Sequence, residues 1–143
     1  MFQKILVGYD GSDSAKAALQ KAALLAKESQ AELTAIWVHE PLPRLSDLPG
    51  EFEEEVEATG HSARFQERQT EVQAVATQHA ISIGCEMRSG HPAKTIIDTA
   101  EQGKYDLIVV GHRDHSGLWG RLLGDTADRI GDHAHCSVLI VKN

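Results

Sequence analysis

Residues 4–26 read KILVGYDGSDSAKAALQKAALLA. Ile5, Leu6 and Val7 make a short unbroken apolar run, as expected of a strand buried on both faces of a parallel sheet. Asp10, Gly11, Ser12, Asp13 and Ser14 break that run with turn formers. From Ala15 the apolar residues recur as Ala15, Ala18, Leu19, Ala22, Leu25 and Ala26, the spacing of one helix face, with the serines and Asp13 as candidate N-caps. Strand, polar loop and helix in direct succession predict the opening of a β-α-β crossover.

The rest of the chain repeats this alternation. Leu33–Val38 (LTAIWV) predicts a second buried strand, ending at His39, Glu40 and a connection carrying Pro41, Pro43 and Pro49. The acidic run Glu51, Glu53, Glu54, Glu55 and Glu57 predicts a solvated face or a mobile loop. Helix is expected from about Ser62 to His79, with Phe65, Val72, Val75 and Ala76 as its buried side. A third strand is expected over Ile81–Arg88. Pro92 suits the first turn of a following helix, Ala93, Ile96, Ile97 and Ala100 form its stripe, and Gly103 stands where a C-terminal cap belongs. A fourth strand over Asp106–Val110 stops at Gly111. Leu118–Ile130 has helical spacing at Leu122, Leu123, Thr126, Ala127 and Ile130, and Ser137–Val141 predicts a fifth strand. Apolar strands alternating with helices predict an α/β fold, an open, doubly wound parallel sheet with helices on both faces, in one domain over 1–143.

Composition excludes several classes. The chain has 143 residues, enough for one core, and no biased tract. Its net charge of −7 has the wrong sign for attraction to nucleic acid phosphates or anionic lipid. No apolar run approaches the roughly 20 residues of a membrane span, and Met1–Gln3 leads straight into a strand, so a soluble, unexported protein is expected. Cys85 and Cys136 make no CxxC spacing, which fits a reducing cytoplasm better than a disulfide framework or a zinc ribbon.

Sheets of this class bind ligands at the carboxyl ends of their strands, where strand order reverses. Two such ends are unusual: residues 8–14, and the glycine-rich stretch 111–126 (GHRDHSGLWGRLLGDT), whose exposed N–H groups can surround phosphate oxygens. Neither is a GxGxxG or a GxxxxGK[ST] motif. Asp10 also has a plain reading, as Asp-Gly turn chemistry after a strand. Ser12 and Ser14 sit in no GxSxG elbow, and capping explains them better than nucleophilic catalysis. His112, His115, His133, His135 and Cys136 are good zinc ligand types but match no ligand spacing, so no metal site is assigned.

The segments ILVGYDGSDSAKAAL, GHPAKTIIDTAE, DLIVVGHR and AHCSVLIVK, in this order and spacing, together resemble the universal stress protein family along nearly the whole chain. That resemblance implies a five-stranded sheet in order 3-2-1-4-5, with Asp10 and Gly111 facing each other across the switch point between strands 1 and 4. It implies a homodimer through the last strand, and an adenine nucleotide, ATP in the first place, as ligand. An aspartate at Asp10 would then contact the adenine or its sugar edge, and backbone at Val38 would hold the base. The family's phosphate loop, Gly-x2-Gly-x9-Gly-Ser/Thr, maps onto Gly111, Asp114, Gly124 and Asp125.

Two of these positions depart from the pattern. Asp114 replaces a glycine that lets backbone approach phosphate, and Asp125 replaces a small hydroxyl donor. Two carboxylates beside a triphosphate repel it by about 1 to 4 kcal/mol each, unless Mg²⁺ bridges them. Thr126 and Ser116 could supply hydroxyls and Arg113 or Arg121 could offset charge, whereas Asp125 suits the cap of the last helix better than a ligand role. The expectation is a small dimeric stress-response regulator on an adenine-nucleotide scaffold. The alternative is an interaction protein whose altered loop no longer accepts phosphate. No group suited to orienting water for ATP hydrolysis stands out beyond His112, His115 and the aspartates.

Overall fold

The structure, a computed structural model, describes residues 1–40, 50–112 and 126–142, with the side chains of 50–61 outside that description. Its elements are β1 (Lys4–Gly8), α1 (Asp13–Ser29), β2 (Glu32–His39), α2 (Gly50–His79), β3 (Ile83–Ser89), α3 (Pro92–Gln102), β4 (Leu107–His112), α4 (Thr126–His133) and β5 (Ser137–Lys142). The five strands form one sheet in order β3-β2-β1-β4-β5, and every pairing is parallel. Both the α/β class and the 3-2-1-4-5 order match the expectation.

Alternation along the strands divides the core. Ile5 and Val7 of β1, with Leu107 and Val109 of β4, face α1 and α2, where they meet Ala18, Leu19, Ala22 and Val72. Leu6, Ile108 and Val110 face α3 and α4, against Ile96, Ala100, Ala127 and Ile130. The central strands therefore bury both faces, which is why they read as unbroken apolar runs. At the amino end of the sheet Asp106 accepts the amides of Gln3 (2.8 Å) and Lys4 (3.0 Å), fastening β1 beside β4.

Several boundaries differ from the sequence expectation. Helix α2 begins at Gly50, so the backbone of the acidic run is helical, which overturns the mobile-loop half of its expectation and leaves the solvated-face half standing. Glutamate is a good helix former, and carboxylates near a helix N-terminus interact favourably with its dipole. Strand β4 continues through Gly111 to His112, paired with Val141 and Lys142 of β5. Gly103 does close α3, but at φ −86°, and the left-handed residue is Lys104 at φ 57°. A side chain at position 103 would run into the Tyr105 ring, so close approach explains this glycine. Of the helix expected over 118–130, residues 118–125 lie outside the described residues, and α4 extends to His133.

Candidate functional site

The amide of Tyr9 donates to the Ile36 carbonyl at 2.9 Å, carrying the β1–β2 ladder one residue past β1. The chain then leaves the sheet in a tight turn. Asp10 Oδ1 accepts the Ser12 amide at 2.9 Å, Gly11 takes φ +82°, and Ser12 Oγ caps α1 by accepting the Ala15 amide at 3.2 Å. Asp-Gly-Ser supplies all three needs: a carboxylate for the turn, a residue free of a Cβ for positive φ, and a hydroxyl for the cap. The Asp10 side chain ends up exposed at the carboxyl edge of the central strand.

Val38 lies on β2 next to β1, half-buried against the α3–α4 side of the core. Gly111 lies on β4, on the other flank of β1, and abuts the first turn of α1. A Cβ there would fall 2.9 Å from Ser14 Cβ and collide with the Ser14 carbonyl. Asp10, Val38 and Gly111 thus all lie at the carboxyl end of adjacent strands, at the point where the strand order turns from 2-1 to 1-4. Thr126 is the first residue of α4 and is half-buried. Arg113, Asp114, Gly124 and Asp125 lie outside the described residues, as do His115, Ser116 and Arg121.

The same turn is gripped from the α2 side by residues that the sequence reading passed over. Tyr9, 4% exposed, donates its hydroxyl proton in a short hydrogen bond to Glu71 Oε2. Arg68 Nη1 donates to Glu71 Oε1 at 2.8 Å and Oε2 at 3.1 Å. Burial opposes ionisation of Glu71, but the Tyr9 and Arg68 hydrogen bonds outweigh it and hold the carboxyl below its usual range. Burial, followed by the Glu71 bond, pushes the Tyr9 phenol upward. A signal was available: Arg68 interrupts the apolar stripe Phe65, Val72, Val75 and Ala76, and a cation on a buried stripe needs a partner, which Glu71 supplies one turn away.

Trp37 stacks on Phe65 nearby, with centroids 6.5 Å apart and planes 8° from parallel. Between Trp37, Phe65, Arg68 and Cys85 lies a recess of about 10 Å³, room for about one water molecule rather than an organic ligand. Both cysteines are free, with thiols pushed upward chiefly by burial. Among the described residues no three His, Cys, Asp or Glu side chains converge into a metal cage. No helix among them is long and apolar enough to cross a membrane.

The model of the universal stress protein family matches residues 1–142. The chain belongs to the universal stress protein family. A universal stress protein of Methanocaldococcus jannaschii is 38% identical over 142 residues, covering 99% of this chain and 83% of its own. The universal stress protein YxiE of Bacillus subtilis is 36% identical over 153 residues, covering 99% of this chain and all of its own. Among solved structures, the universal stress protein UspA of Lactobacillus plantarum superposes with a TM-score of 0.76 at 33% identity, covering 98% of this chain and 97% of that one. A universal stress protein crystallised in complex with cAMP superposes with a TM-score of 0.73 at 28% identity, covering 99% of this chain and 97% of that one.

Proposed function

We propose that this universal stress protein binds an adenine nucleotide at the carboxyl ends of β1, β2 and β4, and acts as a nucleotide-responsive regulator rather than a catalyst. The observation that carries this reading is the switch point itself. There, an exposed aspartate on a glycine turn, Asp10, stands between Val38 and the close-packed Gly111. The cAMP held by a structural relative at 28% identity supports the same ligand class. In this reading Asp10 accepts from the adenine or its sugar edge, backbone at Val38 holds the base, and Gly111, Arg113, Asp114, Gly124, Asp125 and Thr126 make the phosphate loop. A bound nucleotide would act by favouring one partner-binding state over another. We take the protein to be cytoplasmic, where free Cys85 and Cys136 stay reduced.

One feature of the sequence favours a second reading, a nucleotide-independent interaction protein. Asp114 and Asp125 stand where the family's phosphate loop has a glycine and a hydroxyl. Isothermal titration with ATP, with and without Mg²⁺, separates the two. Saturable heat that Asp10→Ala weakens by about tenfold, the loss of one charge-assisted hydrogen bond or more, supports the nucleotide reading. Heat that appears only with Mg²⁺ assigns the two aspartates to a bridging cation. Absence of heat until Asp114→Gly and Asp125→Ser are introduced supports the second reading.

A further inference from the structure

We propose that Arg68 is a positioning residue for the nucleotide: braced by Glu71 and Tyr9, its guanidinium props the Asp10–Gly11–Ser12 turn in the form that accepts the ligand, so that α2 sets the affinity of the site. The inference rests on the nucleotide reading for its ligand, and on the geometry around Asp10 for everything else.

Asp10 is straddled by the network. Tyr9, its neighbour on one side, is tied through its hydroxyl to Glu71. Gly11, its neighbour on the other, lies directly beneath Arg68: a Cβ at position 11 would sit within 2.5 Å of the guanidinium carbon. Glu71 joins the two grips, because it also receives Arg68 Nη1. A single carboxylate on α2 therefore fixes the residues on both sides of Asp10, while Asp10 itself remains exposed for a ligand.

The turn needs such a prop. Glycine visits positive and negative φ about equally, so with only the Asp10–Ser12 hydrogen bond and the Ser12 cap to hold it, Gly11 keeps room to leave its φ of +82° and carry the Asp10 carboxylate with it. The Arg68 guanidinium, whose Nη1, Cζ and Nε would all crowd a Cβ at position 11, takes up the room those alternatives need. Arginine suits the position better than lysine, since its planar fork can pack on backbone and bridge a carboxylate at the same time. Arg68 is three-quarters buried (side chain 23% exposed), so the pair with Glu71 is more than a solvent-screened surface contact. If release of the prop leaves the competent turn populated about one-tenth of the time, apparent affinity falls about tenfold with no ligand contact removed. Any partner that shifts α2 along the sheet would change nucleotide affinity by the same route.

Two measurements on the full chain test this. The first is a double-mutant cycle that needs no ligand: Gly11→Ala, Arg68→Ala and the pair, compared by thermal unfolding. Gly11→Ala should cost distinctly less Tm in the Arg68→Ala background, because only the backbone strain remains once the guanidinium is gone. An equal cost in both backgrounds overturns the prop.

The second is ATP titration of Arg68→Met, which keeps the stem, and of Glu71→Gln, which keeps the arginine but loosens its brace. Arg68→Met should weaken ATP binding about tenfold and Glu71→Gln by less. Ile83→Ala, a core variant on β3, should lose stability yet keep its ATP affinity. Equal affinity losses in Ile83→Ala and Arg68→Met would reduce Arg68 to a general stabiliser and overturn the proposal. Non-additivity in the first cycle with no ATP heat even from the wild-type chain overturns the nucleotide reading and retains the prop.

Discussion

Gly111 and Gly131 are both glycines in regular structure, and their surroundings assign them opposite roles. At Gly111 a methyl group would collide with the backbone of Ser14, whereas at Gly131 the nearest neighbour would be Ile140 Cδ1 at 4.0 Å, ordinary contact. Gly111→Ala should therefore cost about 1–3 kcal/mol by overpacking, and Gly131→Ala should be neutral or stabilise α4 by up to about 1 kcal/mol through helix propensity. Urea unfolding of the two variants checks the contrast. Asp106 carries the acid sensitivity of the amino end of the sheet. Burial opposes its ionisation, but the amides of Gln3 and Lys4 outweigh that and hold its carboxyl below the ordinary value. A carboxyl lowered in the folded state contributes stability that is complete above its unfolded value and is lost as pH falls through the folded one. Asp106→Ala should then cost about 1 kcal/mol at neutral pH, and its Tm curve should converge on that of the wild type toward about pH 2.

Helix α1 lies close to the sheet because its buried face is almost entirely alanine: Ala15, Ala18, Ala22, Ala23 and Ala26, with Leu19 the one large side chain among its fully buried residues. That spacing also sets the site, since the first turn of α1 carries Ser14 against Gly111 and the Ser12 cap against the Asp10 turn. Ala22 is fully enclosed, so Ala22→Leu should push α1 off β1 and β4 and cost about 1–3 kcal/mol. Denaturant midpoints against the wild type measure this. Helix α2 is held differently. Val72 and Ala76 seat it in the core, and Gln20 on α1 meets both Gln78 (3.1 Å) and His79 (2.7 Å) at its carboxyl end. The Tyr9–Glu71–Arg68 network then fastens it to the edge where a ligand would sit.

At the scale of the whole molecule the sheet has two edges, β3 and β5. Strand β5 carries Val138, Leu139 and Ile140, all only half-buried, and among the described residues its one strand partner is β4. An apolar edge of this kind is a template for pairing, and a two-fold contact with a second copy would cover it. The dimer that the family resemblance implies predicts a sedimentation mass of about twice the 15.6 kDa chain at micromolar concentration, the range in which a standard-size interface forms. A mass that stays at 15.6 kDa up to about 100 µM rules out the pairing.

Much of this architecture is written locally. Unbroken apolar strands, helix-spaced stripes and the Asp-Gly-Ser turn follow from side-chain period and backbone sterics, which act over a few residues and so appear directly in the sequence. The strand order and the family were legible as a resemblance spread over the chain, and the turn at Asp10 was legible from its residue types. Tertiary structure alone decided what depends on distant residues. The end of β4 could not be read at Gly111, because a glycine pauses the apolar pattern while the partner strand β5 keeps the ladder going to His112. The start of α2 was hidden because charged residues with helix propensity look alike in helix and loop. The grip of Arg68 and Glu71 on the turn joins positions about 60 residues apart, a juxtaposition that exists only once β1 and α2 pack on the same face of the sheet.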